Sequence, residues 1–219
     1  MDVVIPLLPK LFEATLETLN IVVWSMLFGG IGGLVLGLGL YSTRAGNLFA
    51  NRVAFGTLNV LVNVFRPIPF VIFIAAAQPL ARLVVGKGIG DPAFIFMVSL
   101  AAMFGISRIV EQNLLTVSPG VIEAAKAAGA GPWRITFTVI LPEALGPLIL
   151  GYTFVFVAIV DMSALAGLIG GGGLGAFAIQ WGFRQFEPAV TWAALLIVIL
   201  LVQAVQFLGN RLARTVLRR

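Results

Sequence analysis

Residues 19–41 run without one charged side chain, and that run decides most of what the chain can become. About 20 apolar residues suffice for a helix to cross the roughly 30 Å hydrocarbon layer. Inside lipid, only a helix or a closed barrel satisfies every backbone donor and acceptor. By the same length criterion, four further crossings are expected, within residues 53–85 and at 92–109, 145–168 and 189–208. With 60% apolar and 11% charged residues over 219 positions, the chain holds more oil than one water-soluble core could hide. The expected fold is therefore all-α and integral to the membrane, with five transmembrane helices in a single domain spanning residues 1–219. The second crossing is the hardest to place, because Arg66-Pro67-Ile68-Pro69 interrupts it. Proline removes a backbone donor and the arginine needs water or a partner, so this span is expected to be broken or partly solvent-lined.

What is missing narrows the chemistry. The chain has neither cysteine nor histidine, which excludes thiolate, zinc and histidine-base mechanisms. No phosphate-binding G-x-x-x-x-G-K-[ST] motif occurs, so any nucleotide hydrolysis belongs to another chain. The run Gly170-Gly171-Gly172-Gly173-Leu174-Gly175 matches G-x-G-x-x-G, yet no βαβ unit surrounds it. Its expected use is a re-entrant or external loop. The net charge of +5 reflects basic residues flanking apolar segments, which argues against nucleic acid as a partner. The first 20 residues carry Asp2, Glu13 and Glu17 against Lys10, unlike the basic start of a cleaved signal, so the first span is expected to stay.

Lysines and arginines sort into alternate loops as nine against four. Arg44, Arg52, Arg108, Lys126, Arg134, Arg211, Arg214, Arg218 and Arg219 form the larger set; Lys10, Arg82, Lys87 and Arg184 form the smaller. The positive-inside rule then places the C-terminus in the cytoplasm and the N-terminus outside. Gly29, Gly33 and Gly37 repeat every fourth residue in the first span, a stripe that lets another helix approach closely. Contact within the protomer is favoured over a dedicated dimer seam.

Between spans three and four, Ser118-Pro119 and Gly129 bracket a helix over about residues 119–128, with serine as cap, proline at the first helical position and glycine past the end. Ten residues rise about 15 Å, half the membrane, so this helix cannot cross. Ala124, Ala125, Ala127 and Ala128 make it slim, and only Val121 and Ile122 are bulky and apolar. A slim rod suits a partner's groove better than the bilayer surface. Downstream, Leu141-Pro142 is expected to fix the angle at which the next span enters.

The spacing Glu123-Ala124-Ala125, Gly129, then Val139-Ile140-Leu141-Pro142 resembles the E-A-A-x₃-G-x₉-I-x-L-P signature of ABC importer permeases of the type I fold. Valine at 139 is the one departure. Asn63-Val64-Phe65-Arg66-Pro67-Ile68-Pro69-Phe70, and Ser163-Ala164-Leu165-Ala166-Gly167 before the glycine run, resemble the methionine-importer subfamily. The resemblance implies a transport subunit, not an enzyme, in a bacterial inner membrane. Its implied partners are a second copy of the chain, two ATPase subunits holding ATP and Mg, an external substrate-binding lipoprotein and membrane lipid. No cofactor is implied on this chain. The implied coupling residues are Glu123, Ala124, Ala125, Gly129, Leu141 and Pro142. The implied gate lies at Ser163, Ala164 and Leu165, where this chain has Asp161-Met162 in place of the subfamily's Gly-Tyr. Asp161, an acid inside an apolar segment, is either a substrate contact or half of a structural ion pair with a cation such as Arg66. Arg66, beside Pro67 and Pro69, either lines the pathway or snorkels to the interface. The implied cargo is methionine, with another amino acid or small organic solute as the alternative, and a secondary carrier or channel as the rival mechanism.

Overall fold

A computed structural model describes residues 3–217; Arg218 and Arg219, part of the charge count above, and Met1 and Asp2 lie outside the described residues. After a short 3₁₀ turn at Ile5–Leu7, α1 runs over Leu8–Thr43. Then follow α2 (Arg52–Phe65), α3 (Phe70–Val85), α4 (Asp91–Leu114) and α5 (Pro119–Ala127). The chain continues through α6 (Pro132–Ile135), a π-helical turn at Thr136–Ile140, α7 (Leu141–Glu143) and α8 (Leu145–Ser163). A 3₁₀ turn at Ala166–Ile169 precedes α9 (Leu174–Phe177), which runs into a second π-helical turn, and α10 (Pro188–Leu217) closes the chain.

Four of these helical segments are long and apolar enough to span a membrane, and α2 with α3 makes a fifth candidate bent by 115°. The break sits where the sequence places it. Pro67 and Pro69 have no N–H to extend α2, and Pro69 instead accepts from Phe73 N–H at 3.0 Å to open α3. α1 is longer than the 23 apolar residues suggest: it starts at Leu8, and its 36 residues reach about 54 Å, well beyond the hydrocarbon. Glu13 and Glu17 therefore belong to the same helix as the span. α4 and α10 also outrun their expected ends, to Leu114 and Leu217, whereas α8 stops earlier, at Ser163. Apolar length marks what lipid covers; the helix itself continues wherever i→i−4 bonding still holds.

Packing fixes the direction of each crossing. The most extensive helix contact joins α1 to α4, and the glycine stripe makes it. A Cβ at Gly29 would lie 2.8 Å from Ser99 O, at Gly33 2.5 Å from Ile106 Cβ, and at Gly37 2.6 Å from Ser107 O. Each step along α1 matches a step in the same sense along α4, so the two run parallel and α2–α3 must return the chain between them. The stripe is a seam within the protomer. α8 runs the opposite way: Asn113 donates to Pro147 O at 3.2 Å at one end, and Tyr152 Oη donates to Gly30 O at 2.8 Å nearer the middle. α10 turns again, bringing Gly209 against Thr153 and Leu217 against Gly146. The main core joins α1, α3, α4 and α8 around Ile21, Phe94, Met97, Ile106 and Ile159. A smaller one ties the start of α1 to α9 and α10.

Candidate functional site

α5 carries no buried residue. It ends in a complete Schellman arrangement: Ala130 N–H donates to Ala125 O at 3.1 Å and Gly129 N–H to Lys126 O at 2.9 Å, with Gly129 at φ +79°. The start differs from expectation, since the Ser118 hydroxyl makes no capping bond. Pro119 has already removed one orphan donor, and Val121 N–H donates to Ser118 O at 3.2 Å. The helix closes at Ala127, with Ala128 as its C-cap. Its two faces separate cleanly. Ile122 and Ala125 are half-buried and pack on the main core, whereas Glu123, Ala124 and Ala127 are exposed. Ala125 thus seats the rod, and Glu123 and Ala124 present it.

From α5 the chain returns to the bundle through α6 and α7. Leu141 N–H donates to Thr136 O, an i→i−5 bond. Pro142 supplies no N–H to the following turn, which accounts for the shift of register there. Ile140 and Ala144 are buried while Pro142 and Glu143 are exposed, so one face of this bent segment grips the core. Trp133 stacks on Phe137 and meets Phe49 of the α1–α2 loop at 4.8 Å. That contact ties the rod's return segment to the end of α1.

Arg66 caps α2 in helical geometry, is exposed, and lines a cavity with Met162 of α8. Asp161 is exposed two residues before the end of α8. No ion pair joins Asp161 to Arg66 among the described residues, so the structural pairing weighed for them is not formed within this chain. Ser163 is buried and donates to Val160 O at 2.6 Å. Behind Ala164, Gly175 packs so closely that a Cβ there would overlap the Ala164 backbone.

Two polar constellations escaped the sequence reading. The first is buried near the end of α4. Glu111, 1% exposed, takes Arg108 at 2.5 Å and Arg44 at 3.4 Å. The other Arg108 nitrogen donates to Asn59 and Asn63 of α2, both at 2.7 Å. Arg108 and Glu111 stand i, i+3 on an apolar helix, a spacing that signals the pair once α4 is known to extend past residue 109. The second holds the glycine run. Gly172 N–H donates to Asp91 Oδ1 at 2.9 Å, Gly173 N–H to Glu17 Oε2 at 2.7 Å and Leu174 N–H to Thr18 Oγ1 at 2.8 Å. Three consecutive amides form a concave donor set, as expected for glycine-rich backbone. Its acceptors here are two carboxylates and a threonine hydroxyl from α1 and α4.

A parallel α1–α4 pair, a broken span, an exposed rod and a largely apolar cavity edged by two arginines describe a polytopic helical membrane protein of the permease class. The family model of the binding-protein-dependent transport system inner membrane component matches residues 33–218, and the chain belongs to that family. Over 209 residues it is 39% identical to the probable D-methionine transport system permease protein MetI of Pasteurella multocida, covering 94% of this chain and 96% of that one. It is 35% identical over 212 residues to the methionine import system permease protein MetP of Bacillus subtilis, covering 97% and 96%. A solved chain described as inward facing conformations of the MetNI methionine ABC transporter superposes with a TM-score of 0.93 at 38% identity, covering 96% of this chain and 98% of that one.

Proposed function

We propose that this chain is the membrane-spanning subunit of an ATP-driven methionine importer, read as one permease domain over residues 1–219. The observation that carries this reading is the agreement along nearly the whole chain, at 38% identity and a TM-score of 0.93, with a methionine ABC transporter. In this reading two copies form the pathway, two ATPase subunits bind ATP and Mg, and an external lipoprotein delivers the substrate. The rod α5 docks into the ATPase through Glu123 and Ala124, with Ala125, Gly129, Leu141 and Pro142 transmitting its movement into α8. ATP-driven closure of the motor pair draws the rods together and turns an inward-open cavity outward-open. Reversing a two-state ratio from 1:99 to 99:1 takes about 5.5 kcal/mol of differential interaction, which closure of a docked motor supplies and a passive pore does not. Asp161, Met162, Ser163, Ala164 and Leu165, with Arg66, Pro67 and Pro69 opposite, form the gate and pathway. The N-terminus lies outside and the C-terminus in the cytoplasm of a bacterial inner membrane. Arg44, Arg52, Lys126, Arg134, Arg211 and Arg214 support that orientation against Lys10, Arg82, Lys87 and Arg184.

The test is reconstitution with an ATPase and a substrate-binding lipoprotein of the methionine-importer type. Methionine should accumulate in proteoliposomes only with ATP on the motor side. Accumulation driven by an ion gradient without ATP would overturn the reading.

A further inference from the structure

A cavity of about 280 Å³ opens between α4 and α8, facing the break between α2 and α3. Arg66, Arg108 and Gln112 supply its polar lining, and Phe154, Ala158 and Met162 are among its apolar residues; no carboxylate lines it. The two guanidinium groups differ in what they have left to give. Arg108 already faces Glu111, Asn59 and Asn63. Arg66 has no carboxylate partner and no side-chain hydrogen bond among the described residues.

Depth makes this consequential. Arg66 follows the 14 residues of α2, about 21 Å from its start, and Ala158 stands 13 residues along α8, about 20 Å from its start. Both residues line one cavity, so the free guanidinium and the α8 wall face the same largely apolar space, in a segment the length of a membrane span. A cation there is costly without an anion, and arginine's planar fork matches a carboxylate bidentately. The volume is just under the roughly 300 Å³ at which pockets begin to take drug-sized ligands. One small amino acid fits.

We infer that this cavity is a transit site for the α-carboxylate of the substrate, with Arg66 as the binding residue. The substrate's apolar side chain lies against Phe154, Ala158 and Met162, where a thioether gains a sulfur–aromatic contact. Its ammonium is left toward the open mouth and water. This deepens the importer reading and rests on it, since it names the group by which that pathway holds its cargo.

Because the chain has no cysteine, alkylation of an Ala158→Cys variant, read on this chain alone, reports on this cavity whatever else in the complex binds methionine. In the assembled, nucleotide-free complex, methionine should slow alkylation of the introduced thiol at least tenfold. Methioninol, the same molecule with an alcohol in place of the carboxylate, should not. Adding Arg66→Gln should erase the protection, and Arg66→Lys should keep part of it. Equal alkylation rates with and without methionine, equal protection by methioninol, or full protection surviving Arg66→Gln would each overturn the proposal. Should Arg66 serve a carboxylate of the second copy instead, Arg66→Gln would break up the complex and methionine would never protect the thiol on the Arg66 background, which also overturns it. ATP-driven uptake without protection sinks this inference alone; absence of uptake sinks the importer reading.

Discussion

At the level of single residues, the chain spends its rare polar groups on joints between helices. Glu111 is the extreme case, buried to 1% between Arg108 and Arg44. Removing one member of such a set leaves uncompensated charge in a low-dielectric place, a loss of about 3–5 kcal/mol. Glu111→Leu should therefore lower the thermal unfolding midpoint of the purified complex sharply. Glu111→Gln should recover part of it by keeping hydrogen bonds to Arg108. An unchanged midpoint in Glu111→Leu would mean that the network contributes nothing net. The glycines act by absence. With Ile106 Cβ 2.5 Å from where a Cβ of Gly33 would stand, Gly33→Leu must push α1 off α4. Folded yield should collapse, whereas Gly56→Leu, facing open space, should be tolerated. Periodicity made the glycine stripe legible, because spacing by four needs no tertiary knowledge. The Glu111 network was not legible, because an acid two residues past the supposed end of a span reads as solvated.

Elements show a division of labour. α5 is short, exposed and locked at its end by the left-handed Gly129. A β-branched side chain in that conformation costs about 1–2 kcal/mol, so Gly129→Val should fray the helix and speed tryptic cleavage at Lys126. Because Ala125 faces the core and Ala124 faces outward, the docking test belongs at Ala124. Ala124→Trp should abolish copurification of the ATPase while the permease stays folded; retained ATPase at wild-type stoichiometry would refute docking through this face. The sequence could delimit α5, since proline and glycine punctuate locally. It could not tell which alanine seats the rod, because that depends on a core assembled from distant segments.

Over the whole molecule, two anchors clamp the ends of the bundle. One is the Arg44–Glu111–Arg108 network joining α1, α2 and α4, and the other is the glycine loop held by Glu17, Thr18 and Asp91. In the glycine loop, backbone N–H groups donate to two carboxylate side chains and one hydroxyl. Glu17→Gln with Asp91→Asn should leave the membrane core assembled but raise hydrogen exchange at Gly172 and Gly173. Unaltered exchange there would show that the loop holds its shape without them. Hydropathy, proline placement and helix-end residues determined that this chain is a helical membrane protein with a broken second span and one helix too short to cross, because lipid forces every spanning backbone to satisfy itself within short stretches of sequence. The tertiary structure alone decided that the glycine stripe of α1 seats on α4, that Glu111 is buried, and that Arg66 stands free above a cavity. Those are contacts between residues tens of positions apart, and only the packed bundle brings them within bonding distance.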